Sequence, residues 1–165
     1  MSSSCPQVHF FCGKIGSGKS TLAAEIASES GAILISEDNW TSTLWPNELE
    51  SLEDYREKSA RLKKALWPLA SQVLQAGTSL VLDFPANTVP QRRTLKALVD
   101  MAGVSHTLHL LDTPDELCKA RLKARNAAGG HAYQVTEEQF EQFSSFFVPP
   151  AEEEALNVKV WCSSE

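Results

Sequence analysis

The sequence predicts an α/β domain of 165 residues in which a parallel sheet is covered by helices on both faces. Three observations carry that expectation. Short β-like runs alternate with helix-like segments along the whole chain. Those runs are mostly apolar on both faces rather than alternating, as strands buried on each side are. At the end of the first run, residues 13 to 20 read Gly13-Lys14-Ile15-Gly16-Ser17-Gly18-Lys19-Ser20, a full G-x-x-x-x-G-K-[ST] phosphate loop, and Thr21 follows.

The elements follow in order. A first strand is expected at Val8–Cys12, and Thr21 to Ala27 continues from the loop as a helix. Further strands are expected at Ala32–Ile35, Ser79–Asp83, His106–Leu111 and Val158–Trp161. Between Leu52 and Ala76, apolar residues at Leu52, Tyr55, Leu62, Leu66, Leu69 and Val73 form a helical stripe. Pro68 interrupts that stripe and is expected to kink or divide the helix. Another helix should run from Pro90 to Ala102, begun by the proline. Thr113-Pro114-Asp115-Glu116 is a capping box with proline at the first helical position, so a helix should start at Pro114 and reach about Asn126. Thr136-Glu137-Glu138-Gln139 is a second capping box, with Val135 and Phe140 placed to form a hydrophobic staple. The glycine-containing connection at Ala127–His131 is expected to be flexible. Phe140, Phe143, Phe146 and Phe147 fall at helical spacing and read as a core stripe, ended by Pro149-Pro150. No repeat or linker divides the chain, so residues 1–165 read as one domain.

The phosphate loop has one well-understood physical use. Its glycines let successive backbone N–H groups point into a concavity that holds a β-phosphate. Lys19 can reach the β- and γ-phosphates, and the Ser20 hydroxyl can ligate Mg²⁺. The helix that follows adds the positive end of its dipole. Gly13 through Thr21 are therefore candidate ATP-binding residues.

Composition narrows the classes. With 42% hydrophobic and 22% charged residues, the chain reads as an ordinary globular protein. No apolar run approaches the ~18 residues needed to span a bilayer. The start, Met1-Ser2-Ser3-Ser4-Cys5-Pro6, lacks the basic and apolar regions of a secretory signal. The four cysteines (Cys5, Cys12, Cys118, Cys162) show no zinc spacing and read as free thiols of a cytoplasmic protein. A net charge of −6 with no Lys/Arg cluster weighs against a nucleic-acid partner.

Ligands of parallel α/β sheets sit at the carboxyl ends of the strands. Here those ends carry the phosphate loop, then Ser36-Glu37-Asp38-Asn39-Trp40, then Asp83-Phe84-Pro85-Ala86-Asn87-Thr88 with Arg92-Arg93 shortly after. Asp112 and a helix bearing Arg121 and Arg125 come last. Asp83 closes an apolar strand at the Walker B position, where it would hold Mg²⁺ through water, with Ser20 as the direct ligand.

This set resembles the small P-loop kinases that include phage polynucleotide kinase, chloramphenicol phosphotransferase, the zeta toxins and bacterial AAA-type ATP-binding predicted kinases. The carriers are the loop at 13–21, S-E-D-N-W at 36–40, L-D-F-P-A-N-T-x-x-x-R-R at 82–93 and R-x-x-x-R-N at 121–126. The resemblance implies the P-loop NTPase fold, with five parallel strands in the order 2-3-1-4-5. It implies a helical acceptor-side insertion at about 40–76 and a lid at about 121–135. It also implies that Asp38 is the general base, with Glu37 its adjacent rival. In the lid, Arg125 would close on the phosphates as an internal arginine finger, and Arg121 would lie nearer the nucleotide base. Lys19, Asp38 and Arg125 are the implied catalytic set.

Other candidates remain double-edged. Asn87 could bond an acceptor hydroxyl, and Arg92 could meet an anionic substrate, whereas Arg93 reads equally well as a solvated helix residue. Trp40, Trp45 and Tyr55 could sandwich a ring in the acceptor site or pack into the core. His9, His106 and His109 fall on strands and read as packed residues, and His131 lies in the lid. The leading function is ATP-dependent transfer of a γ-phosphoryl group to a hydroxyl of a small molecule. An ATPase without an organic acceptor, a nucleoside or nucleotide kinase, and a polynucleotide 5′-hydroxyl kinase are the competing readings. The acceptor's identity and the oligomeric state are not written in the residues.

Overall fold

In a computed structural model that describes residues 5–48, 51–128 and 135–163, the strands are β1 (Gln7–Cys12), β2 (Ile33–Ser36), β3 (Leu80–Pro85), β4 (Ser105–Asp112) and β5 (Val158–Cys162). They form one sheet in the order β2-β3-β1-β4-β5, with every pairing parallel. The expected fold class and strand order are both present. The helices are α1 (Lys19–Ser30), α2 (Glu37–Leu44), α3 (Leu52–Gln75), α4 (Val89–Ala102), α5 (Asp115–Ala128) and α6 (Glu137–Ser144). No helix among the described residues is long and apolar enough to cross a membrane.

Alternation along the central strands builds two cores. Val8, Phe10 and Cys12 of β1 and Leu80, Leu82 and Phe84 of β3 point into the larger one, against α3 and α4. Phe11 and Val81 point the other way, under α1. A third cluster joins α5 and α6 through Cys118, Leu122, Val135 and Phe140, with Ile15 of the phosphate loop packed on it. Val135 and Phe140 thus share an apolar cluster across the Thr136 capping box, where the staple was expected.

Local expectations and structure differ in three places. α3 runs unbroken from Leu52 to Gln75 with Pro68 inside it. Pro68 and Lys64 both face solvent, so water can satisfy the carbonyl that proline leaves without a donor. α6 stops at Ser144, so Phe140 and Phe143 join the α5–α6 cluster while Phe146 is 48% exposed and Phe147 packs on the larger core. The edge strands are less covered than the apolar sequence implies: Ile33 and Leu34 of β2 and Val160 of β5 are exposed.

Candidate active site

The phosphate loop leaves β1 at Cys12 and is held from four sides. Gly13 N–H donates to Asn87 Oδ1 at 2.8 Å. Ser17 N–H closes a turn on the Lys14 carbonyl at 3.1 Å. The Ser17 carbonyl in turn accepts from Arg121 Nη1 at 3.0 Å and Thr113 Oγ1 at 3.2 Å. Lys14 Nζ pairs with Asp115 Oδ1 at 2.5 Å, fastening the loop to the start of α5.

Glycine is required at two of these positions. Gly16 has φ +79°, and a Cβ there would lie 2.7 Å from the Cys118 carbonyl oxygen. Gly18, at φ +102°, is the N-cap of α1. Unlike Ser36, Ser51, Thr88 and Thr136, it offers no side-chain cap, and the first turn of α1 contains no acidic residue. The N–H groups of that turn are therefore left for an external anion.

Lys19 Nζ rests on the carbonyls of Gly13 and Lys14 at 2.7 and 2.8 Å. Burial pushes its pKa down, against the pull of Asp83 and Asp38. The Asp83 pKa is raised chiefly by burial, with the nearby Ser20 hydroxyl and the Lys19 charge opposing the shift. β2 and β3 bring Asp83 and Ser36 into register, so the chain that begins α2 starts beside it. Asp38 lies in the first turn of α2, solvent-accessible at the lip of the cleft. Crowding by the protein raises its pKa, and the Asp83 and Glu37 charges add to this, while Lys19 and Arg125 oppose. Arg125 comes from α5, and its Nε is buried with no partner among the described residues. Lys19, Asp83 and Arg125 thus lie within electrostatic reach of Asp38, and Ser20 follows Lys19 in the first turn of α1.

Four of the expected site residues are placed by particular contacts. Arg92 does not reach the cleft. It is 0% exposed, forks onto Glu154 with Nε and Nη2 at 2.7 and 2.8 Å, and gives Nη1 to the Ala86 and Val148 carbonyls. With its donors committed inside the protein, it clasps α4 to the segment before β5. Asn87 braces the phosphate loop by accepting the Gly13 N–H on Oδ1. Trp40 turns away from the site: two residues beyond Asp38 is about 200° around a helix, and Trp40 lines an apolar groove with Ile33, Leu34 and Leu69. Arg121 grips the loop backbone at Ser17. His131 and the glycines of the expected lid lie outside the described residues.

One grouping escaped the sequence. Glu37 is 1% exposed and accepts from Tyr55 Oη and Ser59 Oγ, each at 2.5 Å, with Lys63 Nζ at 3.4 Å. These three donors recur every fourth residue on α3, a polar stripe that was visible but carried no partner. Burial and the Glu37 charge hold the Tyr55 phenol well above its usual range.

The residues present fit a nucleotide and a hard divalent cation. The loop supplies free amides, a close-approach glycine and a lysine, and Ser20 with Asp83 offers the hydroxyl and carboxylate oxygens that Mg²⁺ prefers. No cluster of three or more His, Cys, Asp or Glu residues among the described residues forms a self-sufficient metal site.

A family model described as an AAA domain matches residues 8–150. No curated protein matches significantly. Among solved structures, one from Chloroflexus aurantiacus, provisionally titled a kinase, superposes with a TM-score of 0.73 at 20% identity, covering 96% of this chain and 85% of that one. A sugar kinase from Janibacter sp. HTCC2649 gives 0.62 at 19%, covering 96% and 86%. The Mycobacterium tuberculosis APS kinase CysC, in complex with AMPPNP and APS, gives 0.53 at 22%, covering 86% and 96%. These likenesses establish the P-loop kinase-like fold.

Proposed function

The chain belongs to the AAA domain family, and from that premise we propose that it is an ATP-dependent phosphotransferase that moves the γ-phosphoryl group to a hydroxyl of a small molecule. The reading is supported by the place of Asp38 in the first turn of α2, at the carboxyl end of β2 and within electrostatic reach of Lys19, Asp83 and Arg125. A carboxylate near the phosphate loop can orient an attacking hydroxyl, of an alcohol or of water, and the labelled-acceptor test below separates the two. Phosphoryl transfer to an alcohol needs a positioned base and little other covalent chemistry.

Each residue has a distinct task. The loop amides and the uncapped first turn of α1 bind the triphosphate. Lys19 exchanges the Gly13 and Lys14 carbonyls for the β- and γ-phosphate oxygens. Ser20 and Asp83 would hold Mg²⁺, which when bound neutralises charge on the phosphate oxygens. Asp38 orients the acceptor hydroxyl and takes its proton; a raised proton affinity makes it a stronger base than an exposed aspartate. Arg125 offers its unpartnered Nε–H to the charge that spreads over the equatorial oxygens. Arg121 serves the site by fixing the Ser17 carbonyl. The insertion at about 40–76 forms the acceptor side, and the segment at about 121–135, which begins in α5, forms the lid.

The test follows label from [γ-³²P]ATP and Mg²⁺ into a pooled library of sugars, nucleosides, nucleotides and short oligonucleotides. Label is expected in a small alcohol. Asp38→Asn should keep nucleotide affinity and lose transfer by about 10²–10⁴-fold. Label appearing only as inorganic phosphate, or undiminished transfer by Asp38→Asn, would overturn the proposal.

A further inference from the structure

Glu37 is a buried carboxylate that no step of the transfer uses. Burying such a charge costs several kcal/mol unless it is well paired. A packed hydrophobic residue would stabilise the same space at least as well. α3 instead commits three side chains to it: Tyr55 on Oε2, and Ser59 and Lys63 on Oε1. All three are donors, so they match an ionised, acceptor-only carboxylate. Glu37 is 1% exposed and its carboxylate faces α3, so an acceptor hydroxyl has no access to it.

Its neighbour is Asp38, one residue on and about 100° around the same helix. α2 has only eight residues, too short to fix its own orientation. The Glu37 backbone is engaged as well, its carbonyl accepting from Thr41 Oγ1 at 2.9 Å. The first turn of α2 is thus tied to α3 through the Glu37 side chain.

We infer that Glu37 is a positioning residue: the Tyr55–Ser59–Lys63 grip on its carboxylate fixes the first turn of α2 and so aims Asp38 at the phosphate loop. The inference rests on the reading of Asp38 as the base. It ties that base to the helix bounding the acceptor side, so movement of α3 moves the base.

A double-mutant cycle in the full chain tests it. Tyr55→Phe/Ser59→Ala, Asp38→Asn and the combined variant are compared for release of [³²P]phosphate from Mg²⁺-[γ-³²P]ATP, with water as the probe acceptor. ATP affinity is measured calorimetrically in parallel. The Tyr55/Ser59 variant should bind ATP within about 2-fold of the parent and turn over about 10–100-fold more slowly. The combined variant should turn over about as slowly as Asp38→Asn alone, because residues acting through one another are non-additive. Ser59→Thr, which returns the hydroxyl, should recover turnover beside Ser59→Ala. Should the double variant not fold, Tyr55→Phe alone keeps the ring and removes one donor, with the same expected non-additivity. Additive losses, or a matching loss of ATP affinity, would show that the knot is scaffold only. Normal turnover in the Tyr55/Ser59 variant beside an impaired Asp38→Asn overturns the positioning role alone. Normal turnover in Asp38→Asn removes the base assignment and this inference with it.

Discussion

Asn87 Oδ1 accepts the Gly13 N–H at 2.8 Å, joining the end of β3 to the first residue of the phosphate loop across 74 positions of sequence. Gly13 is buried, so its amide has no water to turn to if the side chain is removed. An unsatisfied buried donor costs about 1–3 kcal/mol. Asn87→Ala should therefore weaken ATP binding by about 10-fold as the loop loses its anchor. Calorimetric titration with ATP checks this. An unchanged dissociation constant, paired with a changed preference among hydroxyl acceptors, would return Asn87 to the acceptor site.

The Arg92–Glu154 pair makes the opposite prediction about affinity. Arg92 is fully buried, and its salt bridge holds Glu154 below the usual carboxylate range. Removing one partner of a buried pair costs about 3–5 kcal/mol, because the other charge stays buried and alone. At roughly 2–4 °C per kcal/mol for a chain of this size, Arg92→Met should melt about 10 °C lower. ATP affinity of the folded variant should be unchanged at low temperature. A stable variant with lost substrate affinity would contradict the structural role.

The two lid arginines should separate kinetically. Arg121 holds the Ser17 carbonyl, whereas Arg125 Nε is buried with no partner among the described residues and its charge reaches Asp38. Arg121→Ala should raise KM for ATP several-fold by loosening the loop. Arg125→Ala should instead lower kcat by about 10²–10³-fold, as loss of a transition-state donor does. Steady-state kinetics at saturating acceptor distinguishes the two, and equal effects on both constants would refute the division of labour.

The phosphate loop, the five strands and the Thr136 cap were legible because each is a local pattern. Glycine, lysine and hydroxyl spacing, apolar runs and the S/T-x-x-E/Q signature all fit within a few residues. The strand-end rule then brought Asp38, Asp83 and Lys19 together without knowledge of a single contact. What it could not supply was direction. Arg92 meets Glu154, 62 residues away, and Asn87 meets Gly13, so in each case the partner is set by how α4 and β3 are placed in three dimensions. Trp40 was misread for a simpler reason. Residues 37–44 show no clear apolar stripe, so nothing indicated that a helix would turn Trp40 away from Asp38. The buried Glu37 was hidden because acidic residues are so often exposed, and its three donors lie on another helix.

Two of the three histidines expected to be packed, His9 and His109, form a directed chain across the sheet with Trp161. Trp161 Nε1–H can only donate, and it reaches His109 Nδ1 at 3.0 Å. His109 must then carry its proton on Nε2 and give it to His9 Nδ1, also at 3.0 Å. Protonating His109 would set a donor against a donor inside the protein, where this ring is 3% exposed. Burial, with the His9 and Lys159 charges nearby, accordingly lowers its pKa from 6.5 to about 4. The unfolded chain binds this proton more readily than the folded one, so the stabilisation is complete above pH 6.5 and is lost as pH falls toward about 4. The depression corresponds to roughly 3 kcal/mol. Asp38 and Asp83, held above their ordinary values, act with the opposite sign over the acid range, so the comparison must be between variants. His109→Gln should melt lower than the parent at pH 7.5, and the gap should shrink steadily toward pH 4.5. Melting curves at closely spaced pH values measure that gap, and a constant difference across the range would mean that His109 contributes packing alone.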